Sequence, residues 1–304
     1  MVARAVSAPL VIGLDVGGTK ILSGLVDRDG QIVARHEVDS PGGAEADVLA
    51  ALDAAVEELL DQRVAAIGYG IPANLERGTG RILRATNLPL ESVDLVARST
   101  ERYGVPVGVE NDANVAALAE WKLGAGRGST NLVMFTLGTG VGGGIVLDGH
   151  LFRGWAELGH IVVQEGGPLC ACGGRGHLEV LASGHAGDRA ARDLYGPDAD
   201  APVLIDRAGA GDAEALAALG RIGESLGAAI GSLVNIFDPD LTVVGGGFGT
   251  AAGELVLAPA REAARREALP PADETLKVVP AELGADAGLV GAALVGFEAL
   301  DGGR

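Results

Sequence analysis

Apolar residues along the chain alternate between two spacings, short unbroken runs and helical stripes, and each run is closed by glycine or a turn. An apolar run over residues 10–15 is followed by Gly17-Gly18-Thr19-Lys20, a second run over 21–26, the turn pair Asp29-Gly30, and a third run over 31–37. Asp-Gly between two strand-like runs is a hairpin signal, so the chain is expected to open with three antiparallel strands. Residues 44–62 place Val48, Leu52, Val56, Leu59 and Leu60 on one helical face. A buried strand is predicted over 64–71 and is closed by Pro72. After a polar stretch with Gly78 and Gly80 comes a helix over 92–103, ended by Gly104. A strand over 105–109 runs into Glu110-Asn111-Asp112, with a helix from there to Leu123.

The segment Gly124-Ala125-Gly126-Arg127-Gly128-Ser129 reads as a joint, after which the opening pattern restarts: a strand over 132–137, a glycine loop, and a strand over 145–147. Helices over 178–195, 212–236, 251–268 and 285–300, and a strand over 243–249, complete the chain. The restart suggests two related α/β halves. The expected division is a small domain over 1–117, joined by the C-terminal helix within 285–304, and a large domain over 118–284.

Composition narrows the partners. The 304 residues carry a formal charge of -18, which argues against a nucleic-acid or anionic-membrane surface. No run approaches the roughly 18 apolar residues of a membrane helix, and the N-terminus lacks the pattern of a signal peptide. A soluble cytoplasmic protein is expected. The only cysteines are Cys170 and Cys172, which excludes a disulfide framework and points to a metal site in a reducing compartment.

Four clusters could carry chemistry. Asp15-Val16-Gly17-Gly18-Thr19-Lys20 lets backbone approach a phosphate, with Thr19 and Lys20 as donors and Asp15 as a Mg²⁺ carboxylate. It is neither a Walker A loop nor a dinucleotide fingerprint. A second loop, Gly138-Thr139-Gly140-Val141-Gly142-Gly143-Gly144, lies at the equivalent place in the other half. A third, Gly245-Gly246-Gly247, follows an apolar strand and suits an adenosine. Each loop alone also reads as a tight turn. Asp112 is placed either to cap the helix that follows or to act as a base for a hydroxyl, with Asn111 beside it for sugar recognition. His160, Cys170, Cys172 and His177 offer two imidazoles and two thiolates, the donor set of a closed structural Zn²⁺ site.

Asp15 to Lys20, Glu110 to Asn114, Gly138 to Gly144, Glu157 to His160 and Cys170 to Glu179 occur in the order of the ROK family of sugar kinases and sugar-responsive repressors. The chain resembles that family from residue 10 to residue 247. The resemblance implies an actin-like, ribonuclease-H-like ATPase fold of two α/β domains around a cleft, with ATP and Mg²⁺ as ligands. By position, Asp15, Gly18, Thr19 and Lys20 match the first phosphate loop, and Thr139 and Gly140 the second. Asp112 matches the base, while Asn111, Glu157, His160 and Glu179 match sugar contacts. Gly246 and Gly247 are expected at the adenosine.

His177 stands where the family has a third cysteine, giving a Cys2His2 zinc set. Two departures touch the sugar end: Ala73 replaces a family glycine, and the segment Arg153-Gly154-Trp155-Ala156-Glu157 is shorter than usual. Trp155 reads as a pocket wall or as packing. The implied reaction is phosphorylation of a hexose, most simply glucose to glucose 6-phosphate, by a homodimer or homotetramer. N-acetylmannosamine, N-acetylglucosamine, fructose or a cyclitol are the competing substrates. A repressor is disfavoured, since 14 residues before Asp15 are too few for a helix-turn-helix.

Overall fold

The computed structural model describes residues 9–85 and 87–302. The first eight residues, where a leader would begin, and the last two of the 285–304 range lie outside the described residues. The chain divides into two compact units. The first comprises the chain through Ala119, the short segment Arg153–Trp155, and everything from Asp286 onward; the second holds Glu120–Phe152 and Ala156–Ala285.

The first unit opens with β1 (Leu10–Val16), β2 (Lys20–Val26) and β3 (Ile32–Asp39), the expected antiparallel trio. Helix α1 (Glu45–Glu57) and β4 (Val64–Ile71) follow. A small antiparallel sheet of β5 (Ala73–Leu75), β6 (Ile82–Ala85) and β7 (Glu91–Val93) comes next, then α2 (Leu95–Tyr103), β8 (Val107–Asn111) and α3 (Asp112–Leu123). The main sheet has the order β3-β2-β1-β4-β8, with β4 parallel to both neighbours. Central β1 is buried almost throughout, whereas edge strand β3 alternates half-buried and exposed positions, as a strand covered on one face should.

The second unit contains β9 (Leu132–Leu137), β10 (Val141–Leu147) and β11 (His150–Leu151). Helices α4 (Leu178–Ala182), α5 (Gly184–Tyr195), α6 (Ala201–Gly209) and α7 (Ala213–Phe237) follow, and then β12 (Leu241–Gly245), α8 (Gly247–Ala252), α9 (Glu254–Glu267), α10 (Ala272–Thr275) and β13 (Val278–Pro280). Its sheet order is β11-β10-β9-β12-β13. Strand for strand this is the same winding as the first sheet: an antiparallel hairpin pair, then two parallel additions. The repeat suspected from the sequence is therefore topological. The helix α11 (Ala287–Leu300) returns to the first unit. Among the described residues, no helix is long and apolar enough to cross a membrane.

One row of glycines seats α11. Gly24, Gly13, Gly68 and Gly108 are cross-strand partners on β2, β1, β4 and β8. A Cβ at Gly13 would lie 2.4 Å from the Leu289 carbonyl oxygen, at Gly68 1.8 Å from that of Ala292, and at Gly108 2.6 Å from that of Val295. The row is a trough in the sheet, and the backbone of α11 lies in it. Leu289, Ala293 and Phe297 then complete a core with Val11, Val26 and Ala66.

Several elements differ from expectation for local reasons. The polar stretch after Pro72 forms β5–β7, strands too short and mixed to show a period. Gly142 to Gly144 belong to β10 rather than to the loop, paired with Thr136, Phe135 and Met134 of β9, and Leu158 packs where a side chain at Gly143 would stand. The 178–195 helix is broken at Ser183, whose hydroxyl caps α5 at the Ala186 N–H. The strand expected over 243–249 ends at Gly245, and helix begins at Gly247.

Candidate active site

In the first unit the candidate residues gather at the C-terminal ends of β1 and β8. Asp15, near the end of β1, is paired in register with Leu22 of β2 and Gly70 of β4. It is half-buried, and burial, helped by the negative charge of Asp112, pushes its carboxyl up to about 6. Gly288 in the first turn of α11 makes room for it: a Cβ there would meet Asp15 Oδ2 at 2.3 Å. The hairpin after Asp15 closes with Gly17 N–H donating to the Lys20 carbonyl at 2.8 Å, leaving Gly18, Thr19 and Lys20 exposed. Lys20 Nζ lies 2.5 Å from Glu37 Oε1, both side chains being more than half exposed. Such a surface pair is worth little and is easily exchanged for a phosphate.

At the other strand end, the choice between cap and base is divided between two residues. Asn111 does the capping: its Oδ1 accepts from the N–H groups of Ala113 at 2.9 Å and Asn114 at 3.2 Å, and its Nδ2 donates to the Ala73 carbonyl at 3.4 Å. Asp112 Oδ1 shares the Ala113 N–H with Asn111, at 2.9 Å. Burial raises the Asp112 carboxyl above the ordinary range, opposed by hydrogen bonds from the Ala113 and Asp112 N–H groups and the Asn111 side chain. A carboxylate with raised proton affinity beside a second one is a competent base next to a place for a cation. A cavity of about 730 Å³ borders this strand end, lined by Ala73, Asn111, Arg153, Gly154 and Trp155 among others. Trp155 is 56% exposed, so its indole lines the cavity rather than filling the core.

In the second unit the loop between β9 and β10 is held from both sides. Gly138 N–H donates to the Gly140 carbonyl at 3.0 Å, and the Gly138 carbonyl accepts from Gly184 N–H at 2.7 Å at the start of α5. Glu179 Oε2 accepts from Val141 N–H at 3.1 Å and sits where a Cβ at Gly140 would be, 2.4 Å away. Glycine at position 140 leaves the glutamate this room. The Gly246 carbonyl, at the start of α8, accepts from Thr250 N–H at 2.9 Å; Gly246 packs on the backbone of Leu137, the residue before the Gly138 loop. The second and third glycine loops therefore converge in one place.

Glu157 starts the one-turn helix Leu158–His160, and the metal-ligand candidates follow. The donor atoms of His160, Cys170, Cys172 and His177 all lie within 4.8 Å of one another. Cys170 Sγ is 3.9 Å from His160 Nδ1, and Cys172 Sγ is 3.2 Å from His177 Nδ1. A tetrahedral zinc with these ligands spaces its donors about 3.3–3.8 Å apart. Two thiols and two imidazoles at these separations fit that ion, with His177 in the place the third cysteine would take. Cys170 Sγ also lies 3.9 Å from Glu179 Oε1, so one carboxylate touches both the metal cluster and the glycine loop.

Asp15, Asn111, Asp112, Gly140, Glu179 and the four metal-ligand candidates are all marked by sequence pattern. Gly288, Glu110 and Arg153 are not. Gly288 and Arg153 act on residues far away in the chain, and Glu110, although inside the Glu110–Asn114 motif, gets its cation from Arg153, 43 residues on.

The model for the ROK family matches residues 11–297. The glucokinase of Thermotoga maritima is 38% identical, over 96% of this chain and 98% of that protein. The N-acetylmannosamine kinase of Shigella flexneri is 35% identical, over 94% of this chain and 97% of that one. Among solved structures, a ROK family glucokinase from Streptomyces griseus in complex with glucose and AMPPNP superposes with a TM-score of 0.83 at 36% identity, covering 95% of this chain and 99% of that chain. With the paired sheets, the carboxylates at strand ends and the glycine loops in place, these matches settle the kinship: the chain belongs to the ROK family.

Proposed function

We propose that this protein transfers the γ-phosphoryl group of ATP to the 6-hydroxyl of glucose, giving glucose 6-phosphate and ADP. It is an ATP-dependent sugar phosphotransferase. The observation that carries the residue assignment is Asp112: a carboxylate of raised proton affinity at a strand end, freed from helix capping by Asn111. Asp112 takes the hydroxyl proton as the sugar oxygen bonds to the γ-phosphorus and the bond to the ADP oxygen breaks. Asn111, Glu157, His160 and Glu179 hold the sugar hydroxyls. The backbone of Gly18, Thr19, Thr139 and Gly140, with Lys20, receives the phosphates, and Gly246 and Gly247 lie under the adenosine.

Asp15 would hold Mg²⁺, for which its cation-deficient pairing with Asp112 is suited. The ion, when bound, neutralises charge on the phosphates. His160, Cys170, Cys172 and His177 would hold a structural Zn²⁺, and that would fix the segment that carries Glu179. A cytoplasmic homodimer or homotetramer completes the proposal.

A second reading, an N-acetyl sugar as acceptor, is favoured by the N-acetylmannosamine kinase relatives and by the short segment at Trp155. A coupled ADP-release assay over hexoses, amino sugars and N-acetyl sugars separates the two: turnover confined to N-acetyl sugars refutes the glucose assignment. Asp112→Asn is expected to lower kcat by about 10²–10⁴-fold with sugar binding retained. Near-normal turnover removes Asp112 as the base.

A further inference from the structure

Arg153–Trp155 pack with the first unit, although the chain on either side of them belongs to the second. The anchor is Arg153. Its Nη1 donates to Glu110 Oε2 at 2.8 Å, and its Nη2 donates to Glu298 Oε2 on α11. Glu110 is only 6% exposed, directly before Asn111 and Asp112. Its other oxygen, Oε1, accepts from the Asn111 N–H at 2.9 Å and from Asn114 Nδ2 at 3.0 Å. Asn111 Oδ1 closes the set on the N–H groups of Ala113 and Asn114. One buried carboxylate thus stitches together the turn that carries the proposed base, and Arg153 is the cation paired with it.

We infer that Arg153 is a positioning residue for catalysis: by neutralising Glu110 it holds the Glu110–Asn114 turn in the geometry that aims Asp112. The inference rests on the proposed role of Asp112. A buried carboxylate without its cation either takes up a proton or draws in water, and each change rearranges the bonds it accepts. Glu298, a third exposed, is hydrated without Arg153 and does not share this dependence. The chain also gives up backbone comfort to hold the segment in place. Ala156, the next residue, has φ 43°, in the left-handed region that a residue other than glycine enters only under strain.

The test compares Arg153→Met, the neutral pair Arg153→Met with Glu110→Gln, and Glu298→Gln. In the neutral pair the introduced amide keeps a carbonyl for Asn111 and Asn114 and needs no cation. Arg153→Met is expected to lower kcat at 20 °C by about 100-fold, the scale of an ångström-sized misplacement. The double variant regains most of that loss, and Glu298→Gln stays at the wild-type level. The exchange rate of the Asn111 amide, followed by NMR, should rise in Arg153→Met and fall again in the double variant.

A purely structural ion pair would lower the thermal midpoint and leave kcat of the folded enzyme within about twofold of wild type, and that result overturns the inference. So does a double variant as impaired as the single. If the wild-type protein releases no ADP with any sugar, the proposed reaction fails on its own account. The Asn111 amide then decides the inference, and an unchanged exchange rate in Arg153→Met sinks it.

Discussion

Gly68→Ala adds a single methyl group at the tightest point of the trough that seats α11. Its Cβ would lie 1.8 Å from the Ala292 carbonyl oxygen and 2.7 Å from the Gly296 nitrogen. Both are backbone atoms, so no side-chain rotation relieves the overlap, and the helix must lift by roughly 1.5 Å to restore ordinary contact. Complete undocking would expose Leu289, Val290, Val295 and Phe297, all buried. At about 1.5–3 kcal/mol each, that loss exceeds any overpacking penalty. The helix therefore stays and shifts, at the upper end of the 1–3 kcal/mol range for an overpacked core, about 3 kcal/mol. For 304 residues the unfolding entropy is about 0.6 kcal/mol/K, so the melting midpoint falls roughly 1.6 °C per kcal/mol and a drop of about 5 °C is expected in thermal unfolding followed by circular dichroism. Gly42→Ala, where nothing lies within 4 Å of the added Cβ, is the control. A Gly68→Ala midpoint matching that of Gly42→Ala would refute the idea that the glycine row seats the helix.

Two further outcomes concern the site. Asp15 holds its proton to about pH 6, above the ordinary carboxyl value, so as pH falls the native state is protonated before the unfolded chain is. Its contribution is therefore fully present below about pH 4 and is lost as pH rises through about 6, on the order of 3 kcal/mol. Urea midpoints of wild type minus those of Asp15→Asn, measured from pH 4 to 7 without nucleotide, should trace that loss; parallel curves would contradict it. Purified protein is expected to carry one zinc per chain by elemental analysis, falling well below one in Cys172→Ser. Full activity with almost no zinc would exclude the metal assignment.

The legible parts of the fold were those with local causes. The Asp29-Gly30 hairpin, the stripe of α1 and the apolar β4 each follow from a pattern within ten or so residues. The glycines of β10 read as loop because the side chain that fills the space over Gly143 is Leu158, which is close only in the folded unit, while the strand itself is set by pairing with β9. The same holds at the site. Asp15 and Asp112 could be picked out separately, but the charge of one raising the pKa of the other could not, since they meet only when β1 and β8 are joined through β4. Arg153 and Glu110 are invisible as a pair for the same reason: the fold, not the spacing, brings them to 2.8 Å.

The glycine trough also sets an order of events during biosynthesis. Most of the first unit precedes the second in sequence, yet its sheet presents a grooved, uncovered face until α11 (Ala287–Leu300), which follows the whole of the second unit, has been synthesised. The second unit is nearly continuous in sequence and can close its own core earlier. On this topology the first unit is expected to close after the second, the reverse of the usual N-to-C order. A growing chain presents its nascent first sheet to chaperones longest, and a ribosome that stops a few codons short of α11 leaves the whole first unit unfinished rather than trimming a tail.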